Sequence, residues 1–192
     1  MIRANIAWRY ALSALVAAGC LTATLPEAAL ARVCRGITIF GGADDGEDEL
    51  GFCLDSGRQG GRDRYKLRIP AEKLEYSVQQ FVITYPDHYD GSFDVELDPE
   101  DDPDDQKVEV RVGRGDSQRS VLLRDVVWDE ENHRIEIYPA EPVPANQKVE
   151  LVFHRVRNPR FGGMFFFNSK VYFTGDVPLL RNLGVWILTI GV

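Results

Sequence analysis

The 192-residue chain predicts an all-β fold: a single antiparallel β-sandwich, Ig-like in general architecture, behind a cleaved export signal. Three observations predict it. Apolar and polar residues alternate with period two through most of the chain after residue 31, the pattern of strands with one buried face. Prolines and glycines fall between the alternating stretches, as at Tyr85-Pro86, Asp90-Gly91, Pro139 to Pro144 and Asn158 to Gly163, and so punctuate strands without interrupting them. No window has the i, i+3, i+4 spacing of an amphipathic helix to the same quality. Only Ala71 to Gln80 admits one short helical turn.

Residues 1–31 read as the signal. Arg3 and Arg9 make a basic start, Tyr10 to Leu25 an apolar run, and Ala29-Leu30-Ala31 a cleavage site. The run of roughly 16 residues is short of the ~20 that cross a bilayer, so no stable membrane insertion is expected after cleavage. The mature chain would start at Arg32 and hold about 160 residues, one compact domain. Cys20 follows Ala17-Ala18-Gly19 and raises the alternative of lipidation, against which Ala17 stands where such signals usually carry Leu.

Residues 32–64 are expected to form an N-terminal disulfide hairpin and linker, and residues 65–192 the sandwich itself. With Cys20 in the signal, Cys34 and Cys53 are the even pair left in an exported protein. If Phe40 faces Glu47 across the Gly41 to Gly46 loop, Cys34 falls opposite Cys53, Val33 meets Leu54 and Ile37 meets Leu50. Pattern and disulfide agree, and the bridge would contribute about 3 kcal/mol. Two free thiols are the alternative.

The following strands come from the alternating stretches Tyr65-Leu67-Ile69, Phe93-Val95-Leu97, Val108-Val110-Val112, Ile135-Ile137 and Val149-Leu151-Phe153, for a total of about eight to ten strands. Pairing Phe93-Val95-Leu97 with Val112-Val110-Val108 would form a second hairpin closed by Asp98 to Lys107. Phe161 to Phe167 is the richest apolar cluster. Phe165 and Phe167 would point one way and Phe166 the other; burial on both sides is favoured, and the alternative leaves one side, with Phe166, for a partner. Leu183 to Val192 is too short to span a membrane and is read as a buried terminal strand.

The whole chain carries a formal charge of −8, and removal of the net-positive signal makes it one unit more negative. Nucleic acid is therefore not an expected partner. His88, His133 and His154 have no second ligand at a metal-binding spacing. There is no Gly-x-Ser-x-Gly elbow, and Gly41-Gly42 and Gly113-Arg114-Gly115 lack the strand-to-helix context of phosphate loops. No catalytic residue is assigned, and no enzyme is expected.

Two acidic runs, Asp44 to Glu49 and Asp98 to Asp105, suggest oxygen ligands. Asp98, Glu100, Asp102 and Asp104 occupy positions 1, 3, 5 and 7 of a calcium loop with Glu109 at position 12, yet Pro103 stands where that loop needs Gly. A solvated loop that keeps the hairpin tip soluble is expected, with weak calcium binding as the alternative. Otherwise no cofactor is called for. Arg155, Arg157 and Arg160 form a basic group, with Arg155 and Arg157 on one strand face. They would receive a carboxylate-bearing partner or the protein's own acidic loops, or simply line a solvated edge.

From Tyr65 onward the sequence resembles the cyanobacterial exported proteins of domain-of-unknown-function family 2808. The residues that carry this are Tyr65-Lys66-Leu67-Arg68-Ile69-Pro70, Leu74, Ile83-Thr84-Tyr85-Pro86, Gly91 and Pro142-Val143-Pro144. They continue with Val156-Arg157-Asn158-Pro159, Gly162-Gly163-Met164-Phe165-Phe166, Gly175-Asp176 and Leu183-Gly184-Val185-Trp186. The resemblance implies a periplasmic, thylakoid-lumen or extracellular protein with no assigned reaction. The alternating strands, the expected disulfide and the lack of any catalytic constellation point to an exported, non-enzymatic binding or structural component whose partner is an unidentified envelope or lumenal protein. A calcium-dependent adhesion or matrix protein is the alternative, and an envelope hydrolase a third.

Overall fold

A computed structural model describes residues 33–35, 49–98, 100, 106–175 and 179–191. Two antiparallel sheets pack face to face. In chain order the strands are β1 (Val33–Arg35), β2 (Phe52–Leu54), β3 (Arg62–Ile69), β4 (Val78–Thr84), β5 (Ser92–Phe93) and β6 (Val108–Val112). They continue with β7 (Arg119–Val121), β8 (Leu123–Asp129), β9 (Arg134–Pro139), β10 (Val149–Arg157), β11 (Gly163–Phe173) and β12 (Leu180–Ile190). The first sheet runs β1-β2-β3-β10-β6-β7, with β5 also on β10; the second runs β12-β11-β4-β9-β8. The one helical turn between Ala71 and Gln80 is a 3-10 turn at Ala71–Lys73. The strands outnumber the eight to ten expected because β1, β2, β5 and β7 are each only two or three residues long.

Alternation builds the core. Phe52, Leu67, Leu151, Val110 and Val121 stand opposite one another across five strands of the first sheet and face inward. Phe81, Ile83, Ile137, Phe165, Phe167 and Leu188 answer them from the second sheet and are buried. Fully burying a side chain of this size contributes about 2 kcal/mol. The Trp186 indole donates to the Arg68 carbonyl oxygen at 3.1 Å, joining the sheets. Residues 183–190 are buried within β12, the terminal strand that the apolar C-terminus predicts.

The first hairpin has the expected register: Val33 pairs with Leu54 and Cys34 with Cys53, and the two cysteines are bonded. Ile37, Phe40 and Glu47 lie outside the described residues.

The second hairpin is corrected. Phe93 pairs with Val156 of β10, and β6 pairs with Val149 to Phe153 of the same strand. Nine-residue β10 is long enough to seat both, and β7 takes the other edge of β6. Residues 94–98 therefore leave the ladder and close through side chains. Lys107 Nζ reaches Asp94 at 3.0 Å and Glu96 at 3.1 Å, and Gln106 accepts from the Asp98 amide at 3.1 Å.

Candidate functional site

One end of the sandwich is held by a buried polar chain. Asp63, turned inward on β3, accepts from the backbone N–H groups of Asp55 at 2.9 Å, Ser56 at 3.0 Å and Gly57 at 2.7 Å. Asn158 joins this carboxylate at 2.9 Å and donates to the Arg58 carbonyl at 2.8 Å. Its own oxygen accepts from Tyr65 at 2.6 Å, and Tyr65 meets Tyr89 at 3.1 Å. Burial, and next the neighbouring Tyr89, push the Tyr65 phenol well above its usual range, so it stays a donor. A buried group with every bond made fixes one arrangement, because each alternative strands a polar atom.

Backbone bonds complete the lock. Gly60 donates to Pro159 at 2.7 Å and Gly191 to Gly57 at 2.7 Å. Two glycines are needed for close approach. A Cβ at Gly91 would sit 2.6 Å from the Arg157 carbonyl oxygen and the Tyr89 ring, and one at Gly162 would sit 2.9 Å from the Ile190 oxygen. Beneath lies a cluster of rings, with Tyr89 stacked on Phe93 and edge-on to Phe167. Asn158-Pro159, Gly162 and the aromatics of β11 thus act as one structural unit.

This rigid end presents apolar side chains to solvent. Phe161 is 75% exposed, Met164 58% and Phe166 39%, while Phe165 and Phe167 are buried. Burial on both faces of the Phe161 to Phe167 segment is thereby corrected. β4 pairs with β11 only from Asn168 onward, so the ribbon formed by Gly163 to Phe167 with β12 has no third strand beside it among the described residues.

The arginines divide. Arg160 binds Asp90 at 2.8 Å, a hydrogen bond that holds the Asp90 carboxyl below its usual range. Arg155 approaches Asp94 at 3.8 Å. Asp90 precedes β5 and Asp94 follows it, and neither belongs to the acidic runs. Arg157, exposed, has no ion-pair partner among the described residues, and opposite it across the ladder stands exposed Arg62, which likewise has none.

A second cluster lies on the outer face of the first sheet, in the middle of β10. Glu109, 1% exposed, contacts His154 Nε2 closely and accepts from Arg111 at 2.8 Å and Ser120 at 2.9 Å. Burial opposes its charge, but the bonds from His154, Arg111 and Ser120 together prevail and hold its carboxyl down at about 2. Arg68 binds Glu150 at 2.9 Å in the next row. Serine and histidine here share one carboxylate, so the histidine does not address the serine oxygen as acyl-transfer chemistry requires. The alternation of Val108 to Val112 places Glu109 and Arg111 on one face; nothing in the sequence pairs Glu109 with His154, which sits inside β10 and not at its end.

Among the described residues no group of three His, Cys, Asp or Glu side chains could hold a metal. Asp98 accepts from the Glu100 amide at 3.0 Å, while Asp102 and Asp104 lie outside the described residues. No described helix is long and apolar enough to cross a membrane.

No curated protein matches the chain. The collagen-binding domain of a Staphylococcus aureus adhesin is similar at 12% identity and a TM-score of 0.37, covering 71% of this chain and 89% of that one. A Nocardia farcinica protein with an immunoglobulin-like fold gives 13% and 0.41, covering 75% and 99%. The collagen adhesin from S. aureus gives 11% and 0.39, covering 74% and 46%. At these scores the likenesses carry no inference about function. The profile of the proteins of unknown function designated DUF2808 matches residues 37–190, and the chain belongs to that family.

Proposed function

We propose that this is an exported, non-enzymatic binding protein of the cell envelope or thylakoid lumen of a cyanobacterium, and that the locked end of its sandwich is the contact surface. One observation carries the proposal: Phe161, Met164 and Phe166 are exposed on backbone that the Asp63–Asn158–Tyr65 chain holds still. Large apolar groups on a pre-ordered surface bind at low entropic cost. The signal-like residues 1–31 and the Cys34–Cys53 bond support export to an oxidising compartment. The partner is an envelope or lumenal protein. Weak calcium binding at the acidic run from Asp98 is the alternative carried from the sequence, and repeating the experiment with chelator tests it.

The test is site-specific photocrosslinking in source cells, with the photoreactive residue at position 161 or 166 and, as control, at exposed Leu122. A discrete product from 161 and 166 and none from 122 is expected. No product from either position, or turnover of an envelope substrate by the purified protein, would overturn the proposal.

A further inference from the structure

The outer face of the first sheet carries a row of donors that no side chain among the described residues engages. Arg62 of β3 pairs across the ladder with Arg157 of β10, which pairs with Ser92 of β5. Asp63 and Val156 beside them are buried, so Arg62 and Arg157 project together from the outer face. Directly opposed like charges destabilise a sheet. Elsewhere on this face the same difficulty is met: Arg64 has Asp55 at 2.7 Å and Arg68 has Glu150. Arg62, Arg157 and the Ser92 hydroxyl have no side-chain partner among the described residues. A sequence that breaks a local rule at one place and obeys it around that place marks function.

We infer that Arg62, Arg157 and Ser92 form a carboxylate-binding subsite that takes an acidic side chain from a protein partner. Neighbouring strands lie about 4.8 Å apart, so the two guanidinium forks grip one carboxylate between them, a planar match that arginine makes bidentately. A protein side chain is favoured over a sulfated polysaccharide by the surrounding charge. Asp90 and Asp94 already engage the neighbouring cations Arg160, Arg155 and Lys107, and the chain as a whole is negative, so among the described residues the row offers two open guanidinium groups, enough for one carboxylate, and no extended basic track for a polyanion. The sequence grouped Arg157 with Arg155 and Arg160; the ladder groups it with Arg62.

The inference rests on the binding proposal above and fails separately from it. Absence of crosslinks at 161 and 166 would remove that proposal, whereas silent arginines beside a crosslinked partner would remove only this subsite. The experiment is NMR titration of the purified mature protein with an oligoglutamate peptide, following arginine Nε–Hε signals, and in parallel with a heparin oligosaccharide. Arg62 and Arg157 signals are expected to shift together, and Arg62→Gln or Arg157→Gln to weaken the peptide about tenfold. Arg155→Gln is expected to weaken it by no more than about twofold. No shift at Arg62 and Arg157, an equal loss in Arg155→Gln, or tighter heparin than peptide binding at the row would overturn the subsite.

Discussion

Glu150 and Arg157 project from the same strand and the same face, and their surroundings are opposite. Around Glu150 the charges close on one another: Arg68 and Arg111 flank it, and Arg111, His154 and Ser120 converge on Glu109. Around Arg157 the neighbour across the ladder is another arginine. The first region pairs its charges within the fold, and the second pairs with no acid among the described residues. Residue type alone does not tell a structural charge from a binding one; the cross-strand neighbour does.

The largest effect that would break this comparison is expected at Glu109. Glu109→Ala leaves His154 and Arg111 without their shared acceptor and is expected to cost about 3 kcal/mol in denaturant unfolding. A loss below about 1 kcal/mol would mean that the closed region is not structural. Acid tests the same carboxylate without mutation. Its folded value of about 2 lies below the ordinary 4.5, so its stabilisation is complete above pH ~4.5 and is lost as the pH falls toward ~2. With solvent screening this amounts to about 2 kcal/mol, read as a drop in the unfolding midpoint that Glu109→Gln does not share. The smallest effect belongs to the open region. Arg157→Gln is expected to leave stability within about 0.5 kcal/mol of the parent, because no described acid loses a partner.

How much of this the sequence carries depends on the distance over which each feature is decided. The alternation of Tyr65 to Ile69 and of Val149 to Phe153 is local, and it correctly puts their apolar residues inside. The cysteine hairpin is legible because a covalent bond requires Cys34 and Cys53 to oppose each other, which sets the register. Pairing of Phe93 to Leu97 with β6 is equally regular in the sequence, but β10 competes for both segments, and alternation cannot rank three apolar strands. The Asp63–Asn158 and Glu109–His154 contacts span separations of 95 and 45 residues and leave no periodic trace. The family match from residue 37 reaches further toward the N-terminus than the motifs beginning at Tyr65.

The most direct single measurement is on Arg62→Glu, followed for both thermal stability and oligoglutamate binding. If the row is kept open for a partner, the new carboxylate occupies it from within. The unfolding midpoint should rise by about 1–3 °C as the opposed like charges become an ion pair, while peptide binding disappears. Unchanged binding, or a fall of both quantities together, would contradict the account.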